Sequence, residues 1–267
     1  MTLPYAASLF RTALANPDGP ALGTWVKLPA MESMELVGLA GFDFAVIDME
    51  HTALSLETVY RHIGTALFSG VSPIVRVPSL DGGIAQRLLD AGAEGIMLPH
   101  VDTVEQAKAA AYAVRFPPLG GRGVGSTSRA GRWGAMSRED YLRYGQEEVV
   151  LIAQIESGLA ARNAGAIAAV PGVDALLIGA ADLSTSEGTT ESDPRVVEII
   201  ADAIRDTKAA GVPIGNAGGA SAASVQAAVD AGYSFTLLSN DASMLGAAAS
   251  AALTAGRTVR YNKEERP

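Results

Sequence analysis

In Gly41-Phe42-Asp43-Phe44-Ala45-Val46-Ile47-Asp48-Met49-Glu50-His51 a helix stop, an apolar run and a cluster of ionisable residues follow one another. Gly41 follows a segment of helical period, residues 34–40, and a glycine just past a helix takes the left-handed conformation that closes it. Residues 44–49 then form a short, nearly continuous apolar run. That is the composition of a parallel strand covered on its outer face by helices. Asp48, Glu50 and His51 follow at once, and three ionisable groups in four residues are costly near a core without partners. The segment therefore reads as strand, then functional loop.

The same unit recurs outward in both directions. Further buried-type strands are expected at 21–27, 73–77, 95–99, 149–156, 175–179, 212–216 and 235–238. Helical patterns fall at 56–69, 82–91, 104–114, 159–169, 194–210, 221–231 and 242–253, and Gly92, Gly211 and Gly232 repeat the Gly41 stop signal. Eight strand–helix units in one chain of 267 residues predict a single (β/α)8 barrel domain spanning 1–267. The competing doubly wound sheet has about five to seven strands and a glycine-rich turn after the first. Here the first unit continues Thr24-Trp25-Val26-Lys27-Leu28-Pro29, without that turn.

Composition narrows the function classes. Hydrophobic residues make up 48% and charged residues 18%, which excludes a disordered chain. There is no cysteine, so disulfides, thiolate metal sites and a cysteine nucleophile are excluded. A formal net charge of −9 argues against nucleic acid and anionic membranes as partners. The opening residues lack the cationic start and apolar run of a signal peptide, and the apolar tract at 244–253 is too short to span a bilayer. A soluble cytoplasmic protein is the expectation.

In such a barrel the loops after the strands build the active-site face. Polar residues do cluster at the expected strand ends: Arg76 after Val75, Gln154 and Glu156 around Ile155, and Asp182 after Gly179-Ala180-Ala181. Period-two geometry turns Gln154 and Glu156 to one side. Glu156 and Asp182, from neighbouring strands, are two hard oxygen ligands of the kind that hold Mg²⁺ while leaving positions for water and substrate. The plainer alternative is that each caps the helix or turn that follows it. His51 is one of three histidines and a candidate general base, because its pKa lies near working pH. Arg76 suits an oxygen that gains negative charge, and an ion pair with Asp48 or Glu50 is compatible with that role. Lys27, at the end of the first strand, is the one lysine placed to form a Schiff base.

These motifs, in this order, resemble the HpcH/HpaI aldolases. The likeness runs through Gly41-Phe42-Asp43 and Asp48-Met49-Glu50-His51, Val75-Arg76-Val77-Pro78, Gln86-Arg87-Leu88-Leu89-Asp90-Ala91-Gly92, Arg122-Gly123-Val124-Gly125, Gln154-Ile155-Glu156 and Ile178-Gly179-Ala180-Ala181-Asp182-Leu183-Ser184. The resemblance implies a class II aldolase that makes or cleaves 4-hydroxy-2-oxo acids from a pyruvate-type 2-oxo acid and an aldehyde. It implies Glu156 and Asp182 as ligands of Mg²⁺, Mn²⁺ or Co²⁺, His51 as acid/base with Asp90 as its carboxylate partner, and Arg76 on the 2-oxo group. Gln154 would hydrogen-bond near the metal, Trp25 would wall the pocket, and backbone N–H groups from Gly179, Ala180, Ala181 and Asp182 would hold the substrate carboxylate. The segment 122–133 would face the aldehyde end. A homohexamer whose dimers exchange the C-terminal helix is also implied. The related acyl-CoA lyase branch should bring longer basic loops, which are not evident here.

Two stretches depart from the pattern. Leu98-Pro99-His100 places a histidine where a less polar residue is expected, so that His100 faces either the site or an interface. Gly215-Asn216-Ala217-Gly218-Gly219 is small and polar, which leaves room for a phosphate-binding reading of the loop after the seventh strand. The Gly121-x-Gly123-x-Gly125 run follows a helix and is no nucleotide fingerprint.

Overall fold

In the computed structural model, residues 7–79 and 82–260 are described; residues 1–6, read above for a leader, and Lys263 lie outside them. A short helix, α1 (Leu9–Leu14), leads into β1 (Ala21–Val26) and α2 (Met31–Ala40). There follow β2 (Phe44–Asp48), α3 (Leu56–Phe68), β3 (Ser72–Arg76), α4 (Gly82–Asp90), β4 (Gly95–Leu98) and α5 (Val104–Val114). The second half contains α6 (Arg138–Glu147), β5 (Val150–Ile155), α7 (Gly158–Arg162), α8 (Ala164–Ala168), β6 (Ala175–Ile178) and α9 (Ala180–Ser186). It closes with α10 (Pro194–Ala209), β7 (Ile214–Gly218), α11 (Ala222–Ala231), β8 (Phe235–Asn240) and α12 (Asp241–Arg257). The eight strands pair in parallel in sequence order, and β8 returns to β1, closing the barrel.

All eight expected strands form, with ends displaced by a residue or two. Gly41, Gly92, Gly211 and Gly232 each adopt φ between 76° and 99°, as their helix-stop reading requires. The pattern at 159–169 divides into α7 and α8 at Asn163, whose amide leaves the helix to donate to the Asp102 carbonyl at 2.8 Å. Helices α1, α6 and α9 were not anticipated. The seventh strand begins two residues later than its apolar run. Gly215 within it leaves room for the Phe235 ring, which would lie 2.3 Å from any added Cβ, so packing accounts for part of that segment's smallness.

The barrel interior is filled from the bottom upward. Phe10 of α1 meets Phe44 and Phe235 edge-on, with ring centroids 5.0 and 5.3 Å away. Above this plug lie Val46, Ile74, Met97, Ile152, Leu177 and Leu237. Fully buried Glu94 ties the plug down, accepting from Leu9 N (2.8 Å) and Ser72 Oγ (2.7 Å). Burial pushes its carboxyl up, against the lowering effect of these donors. A second apolar shell, including Ile63, Leu88, Ala107 and Ile167, joins strands to helices.

The helix α12 is anchored only at its start. Asp241 is buried, but Leu245 and Leu253 are 63% and 55% exposed. Leu36, Val37, Phe42, Met244 and Leu245 line a groove where this helix leaves α2. Among the described residues, no helix is long and apolar enough to cross a membrane.

Candidate active site

Asp48 and Arg76 end adjacent strands and are direct partners in the β2–β3 register. Parallel neighbours lie about 5 Å apart, so a carboxylate and a guanidinium at matched positions must meet. They form a two-pronged ion pair: Arg76 Nε donates to Asp48 Oδ1 at 3.0 Å and Nη2 to Oδ2 at 2.8 Å. Lys27 Nζ reaches Oδ2 at 3.0 Å, and the backbone N–H groups of Glu50 and His51 donate to Oδ1. Asp48 is wholly buried. Burial alone would raise its pKa, but Arg76, the His51 N–H and Lys27 together outweigh it and hold the carboxyl at about 2.

The third guanidinium nitrogen, Arg76 Nη1, lies 2.9 Å from Glu50 Oε2. The Trp25 ring covers the guanidinium, with its centroid 4.3 Å from Arg76 Cζ. The expected ion pair of Arg76 is thus made with both Asp48 and Glu50. Its orientation is locked on every side, over a cavity of ≈ 300 Å³ lined by Trp25, Lys27, Arg76, Gly218, Ser239 and Asn240.

Glu156 follows β5 and Gln154 sits two residues earlier on the same side, its Nε2 donating to Glu156 Oε1 at 3.0 Å. Gly179, at the end of the neighbouring strand, makes room: an added Cβ would lie 2.8 Å from Glu156 Cγ and 3.1 Å from Oε1. Burial is the main cause that raises the Glu156 pKa. The N–H and imidazole of His100 oppose it, and the carboxylates of Glu50 and Asp182 add to it. Asp182 is exposed in the first turn of α9, whose cap residue Gly179 makes no side-chain hydrogen bond. Ala180 and Ala181 complete that turn.

His100 turns toward the site. It lies just past β4 with φ +56°. Its N–H donates to Glu156 Oε2 at 3.0 Å, its Nδ1 is 3.2 Å from the same oxygen, and its Nε2 is 3.3 Å from Glu50 Oε1. His51 stands at the outer rim, its side chain 58% exposed and its Nε2 3.8 Å from Glu50 Oε2. His62 belongs to α3, where it bonds the Leu28 carbonyl at 3.0 Å.

One expected pairing is not made within the chain. Asp90 ends α4 and accepts from Arg122 Nη2 (2.8 Å) and Tyr141 OH (3.1 Å); no hydrogen bond or ion pair joins it to His51. The buried Arg122, packed over the Phe116 ring, claims the carboxylate first. Lys27 is likewise committed: a Schiff-base nucleophile needs a free lone pair, whereas this ammonium helps to neutralise Asp48. Asp48 and Glu50 are expected from the sequence as alternative partners of Arg76; that both hold it at once follows from their alternate spacing on one strand end, which turns both toward one side.

The family profile described as HpcH/HpaI aldolase/citrate lyase matches residues 21–245. The chain belongs to the HpcH/HpaI aldolase/citrate lyase family. It is 38% identical to a 2-dehydro-3,6-dideoxy-6-sulfogluconate aldolase of Pseudomonas putida over 88% of this chain and 91% of that protein. It is 40% identical to a pyruvate aldolase of Rhizobium etli, over 73% and 76% respectively. The crystal structure of an HpcH/HpaI aldolase from Desulfitobacterium hafniense superposes with a TM-score of 0.88 at 30% identity, covering 96% of this chain and 98% of that one. The chain is accordingly a carbon–carbon lyase of the class II 2-oxo acid aldolase type, a type that depends on a divalent cation.

The residues at the HpcH/HpaI site fit such a cation. Glu156 and Asp182 offer oxygen donors, and buried Gln154 Oε1 has no hydrogen-bond partner beside them. Among the described residues, no three His, Asp or Glu side chains close into a complete cage. Two carboxylates with open positions suit an ion that keeps water and substrate as its remaining ligands.

Proposed function

We propose that the protein catalyses the reversible cleavage of 4-hydroxy-2-oxo acids into a pyruvate-type 2-oxo acid and an aldehyde, with Glu156 and Asp182 holding the cation. The observation that carries this reading is a fully oriented arginine, Arg76, at the same barrel mouth as two carboxylates, Glu156 and Asp182, near enough that the charge of Asp182 helps to raise the Glu156 pKa. The names of the relatives, aldolases of pyruvate and of a 2-dehydro sugar acid, support it. A divalent ion held there, Mg²⁺, Mn²⁺ or Co²⁺, would supply Lewis acidity to the bound 2-oxo acid.

The chain's own residues do the rest. Backbone N–H groups from Gly179 to Asp182 receive the substrate carboxylate, and Trp25 walls the pocket. Arg76 faces the 2-oxo oxygen and stabilises the negative charge that grows on it as the C3–C4 bond breaks. Because Asp48 and Glu50 already fix the guanidinium, no reorganisation is needed at that moment. His51 takes the proton of the C4 hydroxyl in cleavage and returns it in synthesis. Gln154 steadies Glu156. Asp90, held by Arg122 and Tyr141, supports the 122–133 loop at the aldehyde end.

A cytoplasmic setting and a homohexameric assembly accompany this reading. The unpartnered Ala/Leu surface of α12 supports exchange of that helix between subunits. The function is tested by supplying 4-hydroxy-2-oxo acids of graded length and following pyruvate release with lactate dehydrogenase. Turnover that stops on chelation and returns with added metal is expected; turnover that survives thorough chelation contradicts the proposal.

A further inference from the structure

His100 is the least expected residue at the site, and its geometry is specific. A φ of +56° is uncommon for a residue other than glycine and is held only when the surroundings over-determine it. Here it aims both the N–H and Nδ1 of one residue at a single atom, Glu156 Oε2, at 3.0 and 3.2 Å. The other oxygen behaves differently. Glu156 Oε1 accepts from Gln154 and is the atom that an added Gly179 Cβ would approach to 3.1 Å, so it faces the turn that carries Asp182. Each oxygen thus has its own donor: Oε2 takes the His100 N–H from the β4 side, and Oε1 takes Gln154 Nε2 on the side of the Gly179 turn that leads to Asp182. The far side of the imidazole, Nε2, lies 3.3 Å from Glu50 Oε1, and Glu50 Oε2 is 2.9 Å from Arg76 Nη1.

We propose that His100 is a positioning residue that pins Glu156 Oε2, so that Glu156 offers the cation a single oxygen, and that it ties this ligand through Glu50 to Arg76. The inference rests on the proposed cation site at Glu156 and Asp182. A carboxylate free to rotate presents either oxygen or both; one whose Oε2 accepts the His100 N–H, with the imidazole Nδ1 3.2 Å from the same atom, is fixed in the rotation that turns Oε1 toward the Gly179 turn. Partners that orient a metal ligand in this way affect affinity by about 10- to 100-fold when removed. The effect is on geometry, so it should fall on all divalent ions alike. A nitrogen ligand would instead favour Co²⁺ over Mg²⁺.

The test measures equilibrium binding of Mg²⁺, Mn²⁺ and Co²⁺ to the purified full-length protein by calorimetry, with nitrogen coupling to bound Mn²⁺ read by pulsed EPR. His100→Gly suits the positive φ and keeps the backbone donor, isolating the imidazole. His100→Asn tolerates the same φ and restores a side-chain N–H. Thermal melts establish that both variants are folded. The expected result is a loss of about tenfold or more for all three ions in His100→Gly, with the Co²⁺/Mg²⁺ ratio unchanged. His100→Asn should recover most of the loss, and wild-type Mn²⁺ should show no histidine nitrogen coupling. Unchanged affinity in folded His100→Gly overturns the proposal. So does a nitrogen signal on wild-type Mn²⁺ that vanishes in that variant, because it makes His100 a direct ligand. Glu156→Gln separates the two levels: if it binds metal as wild type does, the cation site itself is misplaced.

Discussion

Replacing Asp48 by Asn removes one negative charge from the centre of the site and leaves Arg76 and Lys27 facing a neutral amide. The carboxyl is held at about 2 rather than 3.8, and that difference corresponds to about 2 kcal/mol of folding free energy. Because the folded-state value is depressed, this stabilisation is present above pH 4 and is lost as pH falls toward 2. Buried Arg76 would keep only Glu50 as a partner and partly exposed Lys27 would lose Asp48, which adds to the cost, so a destabilisation of about 3–5 kcal/mol is expected at pH 7. The assay is urea unfolding of wild type and Asp48→Asn from pH 7 down to the lowest pH at which a native baseline persists. The stability gap should narrow by about 2 kcal/mol as pH falls from 4 toward 2. In parallel, kcat should fall by about 10²- to 10³-fold as Arg76 loses its fork. A gap below about 1 kcal/mol at pH 7, or one that does not change with pH, would refute the claim that Asp48 organises the site.

Gly179→Ala is expected to disturb the site and leave the fold intact. Its φ of −98° is open to alanine, but the new Cβ would press on Glu156 Cγ at 2.8 Å. Metal affinity measured by calorimetry should drop by about tenfold or more, with little change in melting temperature. Glu94→Gln probes the barrel floor. The raised carboxyl of Glu94 stabilises the fold while protonated, fully below its unfolded value of 4.5, and this contribution is lost as pH rises through the folded value. Wild type should therefore lose stability relative to Glu94→Gln as pH rises above 4.5, read as a falling denaturant midpoint for wild type alone. Parallel pH profiles for the two proteins would show that Glu94 is ionised throughout.

The barrel was legible because it depends on local, repeated signals. Gly41, Gly92, Gly211 and Gly232 each mark a helix stop by a conformational need that no neighbour changes, and each does adopt positive φ. Buried strands such as β2 and β5 are apolar on both faces, so their positions follow from composition alone. Helix α1 was not legible, because its function is to plug the barrel with Phe10, a long-range contact with β2 and β8 that leaves no periodic trace. The break at Asn163 depends on the Asp102 carbonyl, which is distant in sequence.

At the site, Arg76, Gln154 and Glu156 could be placed because strand alternation settles which side each residue faces. Partnerships were harder. Whether Asp90 would meet His51 or Arg122 depends on how the 122–133 loop folds back over α4, and nothing in the spacing reports that. The inward turn of His100 rests on a single backbone torsion after β4, which sequence does not specify for a residue other than glycine.

Formation of an enolate from a pyruvate-type acid at this site can be tested without knowing the aldehyde. Pyruvate is incubated with the metal-restored enzyme in D₂O, and loss of the C3 methyl proton signal is followed by NMR. Exchange well above the enzyme-free rate with at least one of Mg²⁺, Mn²⁺ or Co²⁺ is predicted, and it should fall to background in Arg76→Ala and Glu156→Gln. A folded, metal-loaded wild type that leaves the methyl protons in place, or variants that exchange them as fast as wild type does, would contradict it.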